Sequence, residues 1–307
     1  MAPRMLRPPA LTSGDRVQIV APASPFSREA FDRGVEVLRG WGLQPTWRDD
    51  VFDRRNYFAG SPARRAAELT EAFADPSVLA VIAARGGYGV TTAMPLVDVP
   101  GLAASPKPFV GCSDLTALLN ALVAAGLPAI HGPMVCALGR DADSDERLRA
   151  LLFDSGRPGK ITSSLPDAHG WCISPGVGRG PAVGGNLSLL AATCGTPWQV
   201  QTDGCVLFLE EVGERPYRVD RLLVQLQQAG LFDGLAGVVL GDFTGCADPD
   251  GPDWRDAVAR VFRRLSVPVV AGFAFGHGTP NLALPLGSRT ELDASAGWIR
   301  FRDAAVS

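Results

Sequence analysis

The sequence lacks several features that would have assigned it quickly. Its six cysteines (Cys112, Cys136, Cys172, Cys194, Cys205 and Cys246) form no C-x-x-C pair and no Cys/His cluster. No metal site is indicated, and the cysteines read as small apolar core residues of a reduced, cytoplasmic protein. There is no run of basic residues and the net charge is −3, which argues against nucleic acid and anionic membrane as partners. No stretch approaches the roughly 20 apolar residues that span a bilayer. The N-terminus has two early arginines but no apolar core, so no signal peptide is expected. Internal repeats and low-complexity tracts are missing too. What is present is an ordinary globular composition, 46% hydrophobic and 20% charged, in 307 residues, a length that suggests two domains.

Apolar segments that read as strands, at 17–20, 43–47, 78–84, 108–110 and 128–135, alternate with helical patterns. Ser27 caps a helix with Phe31, Val35 and Leu38 on one face, and Ser61-Pro62 opens another. Further helices start at Thr91-Thr92 and at Ser144. This rhythm predicts an open, mostly parallel α/β sheet. It fails near residue 154, where Gly, Pro and Ser accumulate up to about residue 180. A domain boundary is placed there, giving 1–158 and 159–307. The second half predicts helices at 187–193, 221–229 and 253–265, strands at 205–212, 235–243 and 267–275, and two more strands within 282–301.

The first half turns on residues 107–126, KPFVGCSDLTALLNALVAAG. A short apolar strand ends at Gly111-Cys112, Ser113 stands at the turn, and Leu115, Leu118, Leu119, Leu122 and Val123 form a helical stripe. A serine between a strand and a helix N-terminus presents its hydroxyl beside free N–H groups, the geometry of a nucleophile elbow. Ser113-Asp114 can equally be a capping pair, and Leu115 stands where G-x-S-x-G requires glycine, so an α/β-hydrolase elbow is not indicated.

Only three histidines exist, His131, His169 and His277. His131 ends a predicted strand, where α/β folds place ligands. His169 lies in the linker, and His277 sits between two glycines after an apolar strand. A histidine base needs a carboxylate partner, and CVLFLEEV ends in Glu210 and Glu211, with Glu214 beyond. Strand alternation sends Glu210 and Glu211 to opposite faces without saying which points inward. Arg85-Gly86-Gly87-Tyr88-Gly89 follows a buried strand but matches no nucleotide motif. Its backbone can offer N–H groups to an oxyanion or a carboxylate.

Together these segments resemble the LD-carboxypeptidase family of serine peptidases, which includes the microcin C immunity peptidases. The likeness runs through GDRVQIVAPASPF at 14–26, AFADPSVLAVIAARGGYG at 72–89, KPFVGCSDLTAL at 107–118 and HGPM at 131–134. It continues in GGNLSLLAATCGTPW at 184–198, LFLEEVGERPYRVDRLLVQL at 207–226 and GHGTPNLALPLG at 276–287. It implies an N-terminal flavodoxin-like parallel-sheet domain and a smaller C-terminal β-rich α/β domain. It further implies Ser113 as nucleophile, His277 as base and Glu210 as its orienting carboxylate, with Glu211 where the family usually has Asp. The oxyanion hole falls to the backbone N–H groups of Gly87 and Asp114, and His131 falls back to a structural or substrate-side role.

The implied reaction is hydrolysis of the bond between an L-centre and a terminal D-amino acid of a murein tetrapeptide during cell-wall recycling. No cofactor is implied, and a homodimer is. Arg85 and Arg218 are candidates for the substrate's free carboxylate, since a guanidinium fork matches it. Two other readings stay open: a microcin-immunity-like peptidase acting on an aminoacyl or peptidyl nucleotide, with Trp198 as a shelf for the base, and a non-catalytic two-domain binding protein.

Overall fold

The computed structural model describes residues 5–164, 172–249 and 251–307. His169 therefore lies outside the described residues. The chain divides into two compact units. The first comprises 1–156 with 282–287 and 304–307, and the second comprises 157–281 with 288–303. Both are α/β, and no described helix is long and apolar enough to cross a membrane.

Strands β1 (Arg16–Val20), β2 (Gln44–Thr46), β3 (Val78–Ala83), β4 (Phe109–Gly111) and β5 (Ala129–His131) belong to the first unit. In the second lie β6 (Gly159–Thr162), β7 (Cys172–Ser174), β8 (Val177–Asn186), β9 (Val206–Val212), β10 (Gly237–Thr244) and β11 (Val269–Ala271). Near the C-terminus, β12 (Leu284–Leu286) returns to the first unit, while β13 (Arg289–Asp293) and β14 (Trp298–Phe301) stay with the second. The chain thus places three strands where the sequence suggested two.

The first sheet has the order β12-β5-β4-β3-β1-β2. Its pairings are parallel except at β12, which runs antiparallel to β5 with Leu284 opposite His131. Its inner strands are almost wholly buried, as a parallel sheet covered on both faces requires. The helices are α1 (Arg28–Gly40), α2 (Pro62–Ala74), α3 (Val90–Ala93), α4 (Val99–Ala104), α5 (Thr116–Ala124) and α6 (Ala142–Phe153). Ser27 and Ser61 cap α1 and α2, their hydroxyls accepting from Ala30 N–H at 3.3 Å and Arg64 N–H at 3.2 Å. Two expectations need correcting here. Helix α6 starts two residues before Ser144, because Asp141 is its cap and accepts from the Ser144 N–H at 2.8 Å. Helix α5 is not a one-sided stripe: Thr116, Ala117 and Asn120 are buried along with the leucines.

The second sheet has the order β6-β14-β13-β8-β9-β10-β11-β7. Strands β8 to β11 run parallel, and antiparallel strands flank them on both sides. Helices α7 (Leu187–Ala192), α8 (Pro216–Gln228) and α9 (Trp254–Phe262) belong to this unit. Helix α8 begins five residues before the expected 221, with Pro216 in its first turn.

The ten-residue β8 is the largest departure, since VGRGPAVGGN reads as a glycine loop. Its glycines answer to packing. A Cβ on Gly184, whose φ is +120°, would stand 2.0 Å from the Phe208 carbonyl oxygen of β9. Only glycine lets the two backbones approach this closely. Gly184→Ala should therefore destabilise the protein by about 3 kcal/mol, read as a lowered midpoint in urea unfolding with an unchanged slope.

Candidate active site

In the first unit the strand β4 delivers the chain to Ser113, which opens a short 3-10 turn, Ser113–Leu115, before α5. Ser113 has φ +60°, and Asn56 is the other non-glycine residue with positive φ among those described. Such a conformation costs about 1–3 kcal/mol and persists only where surrounding contacts enforce it. Neither the turn nor α5 has a side-chain hydrogen bond at its N-cap, so the capping role that Ser113-Asp114 could have played is not the one they play.

Several neighbours hold the elbow. A Cβ on Gly86 would stand 3.0 Å from Ser113 Cβ and 3.4 Å from the Asp114 nitrogen, so the glycine loop lies directly against it. The fully buried Asp114 carboxylate accepts from the Val90 N–H at 2.8 Å, which ties the elbow to the N-terminus of α3. Burial raises the Asp114 pKa, opposed first by that backbone bond and then by Arg65. Gly87 has φ +104°, and Ser24 braces the loop, its hydroxyl accepting from the Tyr88 N–H at 3.0 Å. Beneath it the fully buried Arg65 donates to the carbonyls of Pro22 (3.0 Å) and Gly89 and to the Thr92 hydroxyl at 2.8 Å.

In the second unit His277 lies in the loop after β11, and its Nδ1 is 2.6 Å from Glu210 Oε2 at the carboxyl half of β9. The Glu210 side chain is 0% exposed and that of His277 23%. Nδ1 thus carries the proton donated to Glu210, and Nε2 on the far side of the ring is the basic nitrogen. Glu211 is buried as well, but it does other work. Its carboxylate accepts from Asn186 Nδ2 at 3.0 Å, from the Ser188 N–H and hydroxyl at 2.8 and 2.7 Å, and from the Val212 N–H at 2.8 Å. Glu211 therefore anchors the N-terminus of α7, and Glu210 is the carboxylate bonded to His277.

Burial raises the Glu210 pKa, while the His277 bond and a hydrogen bond from Asn186 favour its anion. Burial also disfavours a charged imidazole. The Glu210 bond and the fields of Glu210, Glu211 and Asp242 outweigh it, so the His277 pKa lies above the ordinary histidine value. The two groups pull oppositely on one proton. The raised imidazole is the direction that governs the base, because Glu210 accepts hydrogen bonds as an ionised carboxylate does.

The other expected residues fall as follows. Arg85 is exposed and donates to the Pro25 carbonyl at 2.9 Å. Arg218 is exposed and held by Glu214 and the Tyr217 hydroxyl, each at 3.3 Å. Trp198 is half-buried, with its backbone N–H on the Thr196 hydroxyl at 3.2 Å. His131 is buried, its Nε2 3.5 Å from Cys112 Sγ. Sequence reasoning did not single out Ser24, Arg65 or Asn186. Ser24 and Asn186 stand in segments that carried the resemblance, whereas Arg65 looks like any surface arginine of an amphipathic helix.

Comparison with known proteins agrees with both halves. Residues 17–132 match the LD-carboxypeptidase N-terminal domain, and residues 179–292 match the LD-carboxypeptidase C-terminal domain. The chain belongs to the LD-carboxypeptidase family. It is a serine peptidase of the carboxypeptidase type. A murein tetrapeptide carboxypeptidase of Pseudomonas aeruginosa is 34% identical, over 91% of this chain and 94% of that protein. The crystal structure of a muramoyltetrapeptide carboxypeptidase from Oxalobacter formigenes matches with TM-score 0.81 and 32% identity, covering 93% of this chain and 97% of the other. The microcin C7 self-immunity protein MccF of Escherichia coli is 26% identical, over 89% of this chain and 88% of that protein.

A base must be neutral to accept a proton, so with His277 read as the general base its raised pKa is expected to set the acid limb of the rate profile above the ordinary histidine value of about 6.5. Glu210→Gln removes the largest upward influence on that pKa. The acid limb of kcat/KM should move to lower pH and kcat should fall by about a thousandfold or more, measured as a full pH–rate profile. A raised folded-state pKa also contributes stability below the unfolded value that is lost as pH rises through the folded one. Glu210→Gln should flatten that part of the stability profile.

Proposed function

We propose that the chain hydrolyses the bond between an L-configured centre and the terminal D-amino acid of a murein tetrapeptide, as a step in cell-wall recycling. The observation that carries this reading is the 2.6 Å contact between the buried Glu210 carboxylate and His277 Nδ1. In this proposal Ser113 Oγ attacks the scissile carbonyl carbon as His277 Nε2 takes its proton. The backbone N–H groups of Gly87 and Asp114 receive the negative charge on the carbonyl oxygen. His277 then protonates the departing amine, the C–N bond breaks, and the acyl group remains on Ser113. Water, deprotonated by the same imidazole, attacks that ester and frees Ser113. The named carboxypeptidase relatives support the substrate class.

A carboxypeptidase also needs a cation for the substrate's free carboxylate. Arg85 suits this better than Arg218, whose guanidinium already faces Glu214. Arg85 lines a cavity of about 330 Å³ together with Arg140, Ser27 and Met134, and among the described residues no carboxylate lines it. Arg85→Ala should raise KM about tenfold or more and leave kcat within a few-fold.

Ser113→Ala should lower D-alanine release from the free tetrapeptide by about a millionfold, measured by coupled amino-acid assay. Undiminished release would sink the reading. The MccF relative favours one rival, which a parallel incubation with an aminoacyl sulfamoyl adenylate tests: cleavage of that compound with the tetrapeptide left intact would establish it, with Trp198 as the base shelf. A cytoplasmic location, supported by six cysteines that form no disulfide among the described residues, and a homodimer belong to the same proposal. Cell fractionation and light scattering test them.

A further inference from the structure

Two glycines, Gly276 and Gly278, flank His277, and each answers to a carboxylate. Gly276 has φ +118°, and a Cβ there would stand 2.7 Å from both Glu210 Cβ and Glu210 Oε2. A Cβ on Gly278 would stand 2.3 Å from Asp242 Oδ2 and 2.6 Å from its Cγ. Each glycine therefore lets a carboxylate reach the loop backbone, Glu210 on one side of His277 and Asp242 on the other. Asp242 belongs to β10, next to β9 in the sheet, where the pairing slips between Leu240 and Phe243. Its own N–H donates to the Phe275 carbonyl at 3.0 Å, and the Gly278 backbone N–H acts on its carboxylate to favour the anion. The loop that carries His277 is thus held by Asp242 before it, through the Phe275 carbonyl, and packs against the Asp242 carboxylate after it, at Gly278. A third tie, the Gly276 N–H on Asn281 Oδ1 at 3.0 Å, closes the loop on itself.

We infer that Asp242 is a positioning residue for His277, fixing the loop that aims the imidazole and adding a third negative charge to those of Glu210 and Glu211. This rests on the reading of His277 as the general base. Among the described residues the charged groups acting on the imidazole are Glu210 and Glu211 from β9 and Asp242 from β10. Around Asp242 they are Glu210 and His277, with Arg255 of α9 lining the same cavity of about 320 Å³. Burial pushes the Asp242 carboxyl up to about 6, with Glu210 pushing the same way and the Gly278 N–H and His277 opposing. At neutral pH it is mostly ionised and acts on the imidazole, and below about 6 that influence fades.

Asp242→Asn keeps an oxygen that can accept the Gly278 N–H and removes the charge. With only three histidines in the chain, the His277 ring can be followed by NMR, assigned with His277→Ala. The titration midpoint of His277 should move to lower pH in Asp242→Asn, and the acid limb of kcat/KM should move with it. Asp242→Ala, which also removes the group packed against Gly278, should lower kcat on the order of a hundredfold while KM changes little. A His277 titration in Asp242→Asn that superimposes on the parent's overturns the inference, and so does an Asp242→Ala protein with parental kcat. The titration needs no turnover. Full activity in His277→Ala would overturn the general-base reading and leave the titration result intact.

Discussion

A carboxylate inside a β-sheet is costly unless something compensates its charge, and much of the second unit is arranged around that fact. Glu210 lies at the carboxyl half of β9, fully buried, and gives one oxygen to His277. The arrangement fixes the imidazole tautomer and sets which nitrogen is basic. It also explains local sequence that has no other use. The glycines of β8 let its backbone close on β9, and Asn186 at the end of β8 reaches both glutamates. Gly276 leaves room for the carboxylate under the loop. The adjacent Glu211 binds the first turn of α7 through Ser188, so the two acids differ in function as well as in facing.

The first unit solves a different problem, which is to hold one serine in a backbone conformation it disfavours. The left-handed Ser113 is kept by what surrounds it. Gly86 presses against it from the neighbouring loop, and Asp114 locks that loop through the Val90 N–H. Arg65 fastens the far side of the same loop to the carbonyls of Pro22 and Gly89. Under the proposed function this arrangement would supply a strained nucleophile and a donor loop that need not reorganise, the condition under which donors to an oxyanion are worth most.

The sequence disclosed these elements unevenly, for physical reasons. Strands β1 and β3 and the capped helices α1 and α2 were legible because continuous apolar runs and Ser or Ser-Pro starts are local signals. Strand β8 was not, because its glycines answer to the approach of β9, a long-range contact with no local signature. Strand β12 is three residues long and antiparallel on the edge of a sheet whose other strands precede it by at least 150 residues in the chain, so its partner cannot be read nearby. The choice between Glu210 and Glu211 was open for a related reason: both are buried, so alternation places them on opposite faces without ranking them. Arg65 and Asp242 gave no local signal, since a helical arginine and a strand aspartate are usually solvated.

The account reduces to a hydroxyl on a strained turn losing its proton to an imidazole that a buried carboxylate has made more basic. Rapid acid quench of the enzyme turning over a murein tetrapeptide, followed by peptide mass spectrometry, tests this most directly. The account predicts an acyl adduct on the peptide that contains Ser113, equal in mass to the substrate less its terminal D-amino acid. An adduct on a different residue, or undiminished turnover with Ser113 replaced by alanine, would contradict it.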